Sequence, residues 1–140
     1  VKADGMAVWQ FDLYLAAGIE KLPDILDDGW QPPILAEDSV QHARRLLEHY
    51  LGRHWRLAER WQVFGPENGN RIDLISETPS TTSVVARFDL RDSSIQFQGL
   101  VCTLAKTLTC ELFSPDLNAI IQPDRNALRM ALADICAASH

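Results

Sequence analysis

Two stretches, RIDLISE at 71–77 and SVVARFDLR at 83–91, alternate apolar and polar residues so regularly that they constrain the chain to a pair of strands. A period of two puts Ile72, Leu74, Val84, Ala86, Phe88 and Leu90 on one face of a pleated strand pair and the odd-numbered residues on the other. The segment TPSTT at 78–82 is turn chemistry and predicts an antiparallel hairpin. Its simplest register sets Asp73 opposite Arg87 and Arg71 opposite Asp89. The two copies of Arg-apolar-Asp-Leu then pair reciprocally, and opposite charges across strands stabilise a sheet by roughly 0.2–1 kcal/mol per pair.

A third strand is expected upstream, over 56–64, with Leu57, Trp61 and Val63 inward and the loop GPENGN at 65–70 behind it. That pairing brings Arg56, Arg60 and Gln62 onto the same face as Asp73. The polar face then carries Arg56, Arg60, Arg71, Arg87 and Arg91 with Asp73 and Asp89, and Asp12 if the first strand lies alongside. Each central Asp has an Arg opposite, which argues for a salt-bridged sheet face and against a divalent cation, whose hard oxygen ligands must not already be neutralised.

Elsewhere the periodicity is equally readable. VWQFDLYL at 8–15 alternates and predicts a strand with Trp9, Phe11, Leu13 and Leu15 inward. A short helix is expected over 19–27. A longer helix starts at Glu37-Asp38-Ser39, with Ser39 or Asp38 as cap, carries the stripe Val40, Ala43, Leu46, Leu47, Tyr50 and Leu51, and stops at Gly52. Ser93 and Gln96 have capping-box spacing, and Phe97, Leu100, Val101, Leu104, Ala105 and Leu108 follow at helical intervals. A strand at 109–113, an extended piece at 118–121 and a helix opened by Pro123, with Leu128, Ala131, Leu132 and Ile135 inward, complete the chain. The expected order is β-α-α-β-β-β-α-β-α, an α+β two-layer sandwich. Its sheet is mainly antiparallel, with the helices on one face and the other face free for water or a partner. The 140 residues read as one domain, with residues 1–6 outside the fold, and suffice to bury a core without metals or disulfides.

Charge narrows the function. The formal net charge is −6, which disfavours general binding to the phosphates of nucleic acid. Residues 40–60 hold five Arg and two Glu, a local +3 that leaves −9 on the remainder. No apolar run is long enough for a membrane span, and no long apolar segment follows the Lys of VKADGMAVWQ, so no signal peptide is read. The three cysteines (102, 110 and 136) are odd in number, sit in apolar patterns and form no CxxC, as reduced core residues of a cytoplasmic protein would.

Catalytic signatures are sparse. His42 and His49 share a helix side two turns apart, without HExxH. His54 follows a helix stop and is a candidate general base for a small hydrolase, with Glu67, Asp116 and Asp124 as loop carboxylates. GxSxG, Walker A and GxGxxG are absent, and no cofactor or metal is expected. Of four Trp (9, 30, 55, 61), Trp9 and Trp61 read as core; Trp30 and Trp55 are expected nearer the surface, and Trp beside Arg is a frequent hot-spot pairing at protein interfaces.

The stretch WQVFGPENGNRIDLI (61–75), the opening WQFDLYL and the tail CELFSPDLNAIIQPDRNALRMAL (110–132) together resemble small uncharacterised bacterial cytosolic proteins and, more loosely, immunity-type proteins encoded beside bacterial toxins. The resemblance carries no catalytic motif and implies protein binding. The expectation is a non-enzymatic module that covers a partner's working surface, the partner being a toxin or another protein. Its candidate contact residues are Arg56, Arg60, Arg71, Asp73, Arg87, Asp89, Arg91 and Trp55. A homodimer across the free sheet face and the His54 hydrolase are the alternatives.

Overall fold

A computed structural model describes residues 9–18 and 31–138. It contains the strands β1 (Gln10–Ala16), β2 (Trp55–Ala58), β3 (Trp61–Phe64), β4 (Arg71–Thr78), β5 (Thr81–Asp89), β6 (Glu111–Ser114) and β7 (Ala119–Ile121). Its helices are α1 (Glu37–Leu51), α2 (Ile95–Thr107) and α3 (Arg125–Ala138). The strands form one sheet in the order β2-β3-β4-β5-β1-β6-β7, and every pairing is antiparallel. The fold class is α+β, with the helices on one side of the sheet, as the alternation predicts. The helix expected over 19–27 lies outside the described residues.

The core follows the predicted stripes. Val40, Ala43 and Leu47 of α1, Phe97, Val101, Leu104 and Ala105 of α2, and Leu128 and Ala131 of α3 join Phe11, Leu13, Leu15, Ile72, Leu74, Val84, Ala86, Phe88 and Leu112 in a single buried cluster. Gly52 ends α1 at φ 83° with its N–H on the Glu48 carbonyl, a conformation that favours glycine. The caps differ in detail from expectation. Ala36, not Ser39 or Asp38, precedes α1 and offers no side-chain bond. Ser94, not Ser93, caps α2 by accepting from the Phe97 amide at 3.1 Å. Asp124 accepts from the Ala127 amide at 2.8 Å at the start of α3.

Three features of the sheet correct the sequence reading. The stretch expected as one strand, 56–64, is a hairpin, β2 and β3, turning at Glu59-Arg60. In β3 the faces are opposite to those expected: Trp61 pairs with Ile75 and Val63 with Asp73, so both lie away from the helices. Phe64 and Gln62 point to the helix side, where Gln62 accepts from Arg44 of α1 at 3.0 and 3.1 Å. A one-residue difference in register exchanges every side chain between faces. The pattern Trp-Gln-Val-Phe permits either choice, since both sets contain one ring. Arg44 favours the observed one by donating to the half-buried Gln62 amide oxygen, which would otherwise lose these bonds. Arg56, paired with Gln62, therefore shares the helix-side face, and Arg60 sits in the turn.

In the β4–β5 hairpin, Arg71 faces Arg87 and Asp73 faces Val85, two residues from the expected register. An even offset keeps each residue on its predicted face but changes its partner. β1 inserts between β5 and β6, placing Asp12 opposite Arg87 and Tyr14 opposite both Val85 and Phe113. The face expected to be free is closed at its centre: Val63, Asp73, Val85 and Phe113 have no exposed surface. Leu57, Trp9 and Tyr50, expected inward, are 45%, 39% and 57% exposed.

Candidate functional site

The face away from the helices is organised around Asp73, fully buried in the middle of β4. Its carboxylate accepts from the Trp61 indole N–H at 2.7 Å and from Arg71 Nε and Nη2 at 3.0 and 3.1 Å. A buried carboxylate survives only with donors of this kind, and charge-assisted forks are the strongest available. Arg71 also donates to the Glu67 carbonyl at 2.7 Å, which ties the 65–70 loop to the sheet, and its guanidinium lies 5.9 Å from the Trp55 ring. Trp55 in turn donates to the Gly65 carbonyl at 2.7 Å. The predicted reciprocal pairs are thus replaced by a pair along one strand, Arg71 with Asp73, and a diagonal approach of Arg87.

Arg87 is held differently. Its Nε lies 3.5 Å from Asp73 Oδ2 and 3.7 Å from Asp12 Oδ1, and its guanidinium stands 5.4 Å from the Trp61 ring centre. Neither approach makes a hydrogen bond, and Nε is buried without a hydrogen-bond partner. Asp12, which the sequence left without an assigned mate, is the second carboxylate of this clamp. It also accepts from the Gln10 amide at 3.2 Å. Burial pushes the Asp12 carboxyl above its usual range, Arg87 and Gln10 oppose the shift, and Asp116 and Asp73 add to it.

At the edge of this face Asp89 is paired with Arg91, not Arg71. Arg91 Nε and Nη2 reach the two carboxylate oxygens at 3.0 Å each, and the Arg91 guanidinium stacks over Trp9 at 4.0 Å. The Arg91 fork holds the Asp89 carboxyl below its usual range.

Arg71, Arg87 and Arg91 line one open cleft of about 610 Å³, together with Trp9, Gln10, Leu57, Glu67, Asn68, Gly69, Phe88 and Asp89. Four of the eight predicted contact residues, Arg71, Arg87, Asp89 and Arg91, meet there; Asp73 anchors them from beneath, and Trp55 braces Arg71. Arg56 and Arg60 do not join them. Arg60 lines a separate hollow with Arg44, Glu59 and Gln62. Trp9, Gln10 and Leu57 are lining residues the sequence did not mark. Trp9 was hidden by its strict alternation with Phe11, and Leu57 by the unrecognised turn at 59–60.

The other candidate chemistry has little geometric support. The His54 ring packs 5.6 Å from Phe64, and its Nδ1 is buried without a hydrogen-bond partner, so no carboxylate orients that nitrogen. Cys102, Cys110 and Cys136 are free thiols; burial pushes Cys102 up and Cys110 up to about 11. Neither is poised as a thiolate near neutrality. Among the described residues no three His, Cys, Asp or Glu side chains gather to hold a metal ion, and no helix is long and apolar enough to cross a membrane. Comparison with protein-family models, curated proteins and solved structures finds no match to this chain.

Proposed function

We propose that this chain is a non-catalytic protein-binding module that holds an acidic partner at the arginine cleft. The observation that carries the reading is Arg87: a cation fixed between two carboxylates and an indole, its Nε making no hydrogen bond, in a cleft rimmed by exposed Trp9 and Leu57. Buried Arg–Asp–Trp networks fix side-chain geometry in advance, so that little ordering remains to be done on binding. Exposed Trp and Arg at the rim are the residue types that dominate interface energetics. The half-buried His54, with no group orienting its Nδ1, favours this reading over hydrolysis. An immunity-type role, in which the module covers the working surface of a toxin, is the specific form to which the sequence resemblance inclines the proposal.

A photo-crosslinking residue at position 57, on the cleft rim, tests it in cells of the native host, with position 45 on the outer side of α1 as the control. The expected result is one dominant protein adduct from position 57 that is lost with Arg91→Glu. Adducts from position 45 alone, or the same adducts from both positions, refute it.

A further inference from the structure

We infer that the cleft recognises a single carboxylate next to an apolar side chain, presented by the partner protein, with Arg87 as the recognising group. This inference rests on the binding-module reading and names the chemistry at its centre.

The three arginines are not equivalent. Arg71 spends Nε and Nη2 on Asp73 and Nη1 on the Glu67 carbonyl, and it is 8% exposed. Arg91 is engaged as a two-pronged fork by Asp89. Arg87 lines the cleft with its Nε buried and making no hydrogen bond, and its two terminal nitrogens have no hydrogen-bond partner among the described residues. Its two carboxylate neighbours approach Nε at 3.5 and 3.7 Å, too far or too oblique to saturate it. With Nε turned to these two carboxylates, the two terminal nitrogens of the planar guanidinium are the pair that matches a ligand carboxylate in a two-pronged arrangement.

Charge decides between anions. The cleft lining holds three Arg against Glu67 and Asp89, one net positive charge. Asp73 and Asp12 hold Arg87 from outside the lining and bring the local sum to one net negative charge. That sum opposes a phosphate dianion more strongly than a monoanionic carboxylate. The walls set the neighbouring group: Leu57 and Trp9 are exposed there, so the acid should be followed or preceded by an apolar side chain. A volume of about 610 Å³ lies within the range of small-ligand sites, roughly 300–1,000 Å³, and leaves room for that side chain.

The test follows the Arg87 Nε–Hε resonance of ¹⁵N-labelled protein during titration with N-acetyl-leucinate, N-acetyl-leucinamide, acetyl-Glu-Leu-amide and inorganic phosphate. The resonance is expected to move saturably with N-acetyl-leucinate in the millimolar range, with binding at least about tenfold weaker for the amide and for phosphate. A matching response to acetyl-Glu-Leu-amide identifies a side-chain acid as the source; a response to N-acetyl-leucinate alone identifies a chain terminus. Leu57→Glu changes only an exposed wall residue and should weaken the carboxylate by about tenfold with the fold intact. No saturable shift with either carboxylate, equal affinity for amide or phosphate, or unchanged affinity in Leu57→Glu overturns the inference. The two readings separate cleanly. A partner crosslinked at position 57 with no carboxylate response leaves the module and removes the carboxylate; a saturable response with no partner adduct does the reverse.

Discussion

Replacing Asp73 by Ala is the sharpest test of the network beneath the cleft. The carboxylate has no exposed surface and accepts three hydrogen bonds, one from Trp61 and two from Arg71, while offsetting part of the Arg87 charge. Its loss leaves the Arg71 guanidinium, 10% exposed in its side chain, without its counter-charge. Removing one partner of a buried ion pair costs about 3–5 kcal/mol. The three hydrogen bonds are part of that figure and not additional to it. Against a typical domain stability of about 5–15 kcal/mol, such a loss is severe. With a urea slope of roughly 1–3 kcal/mol/M the unfolding midpoint should fall by about 1 M or more. Urea unfolding followed by circular dichroism measures it. The double variant Arg71→Met with Asp73→Leu should recover much of the loss, since the penalty is mostly the uncompensated charge and not the missing attraction. A cost below about 1 kcal/mol for Asp73→Ala, or a double variant no better than the single one, would refute the buried-pair reasoning.

Asp12 and Asp89 titrate with opposite consequences. Burial raises the Asp12 pKa in the folded state, so its contribution to stability is fully present below the unfolded value near 3.8 and is lost as pH rises through the folded value. Asp12→Asn should therefore make stability at pH 7 higher, relative to the same protein at pH 3, than in the wild type, which denaturant titrations at the two pH values will show. Asp89 is lowered by Arg91, so its contribution is present above 3.8 and is lost as pH falls through the folded value; Arg91→Gln should weaken that acid-side loss. Gly65→Ala places a Cβ 3.0 Å from the Asn70 carbonyl oxygen at φ 113° and should cost about 1–3 kcal/mol in thermal unfolding. Gly99→Ala meets only the mobile end of Arg125 and should instead stabilise α2 by about 0.5–1 kcal/mol. Because Cys110 is buried and raised to about 11, a thiol reagent at pH 8 should label Cys136 first and Cys110 only on unfolding.

Strands β4 and β5 were legible in the sequence because their alternation is a local property. Ile72, Leu74, Val84 and Ala86 reach the core, and Arg71, Asp73 and Arg87 the other face, whatever the pairing. Their partners were not legible, because registers two residues apart satisfy the same alternation. The turn at 78–81 chose between them: Thr78 pairs with Thr81, and its amide donates to the Thr81 hydroxyl at 2.9 Å, which tightens the loop. For β3 the ambiguity reached the faces themselves, and a residue eighteen positions upstream, Arg44, favours the observed choice. The cleft was legible as an arginine-rich patch, but its lining by Trp9, Gln10 and Leu57 was not.

By itself the sequence determined the α+β class, the helical stripes and the division of the central strands into an apolar and a charged face, since each depends on side-chain period along one element. Tertiary structure alone decided that β1 inserts between β5 and β6, that Asp12 and Asp73 converge on Arg87, and that Arg91 takes Asp89. The physical reason is that pairing partners are selected by the summed fit of contacts distant in sequence. Charged residues then settle with whichever opposite charge that geometry brings within reach, not with the one that the simplest hairpin would have placed opposite.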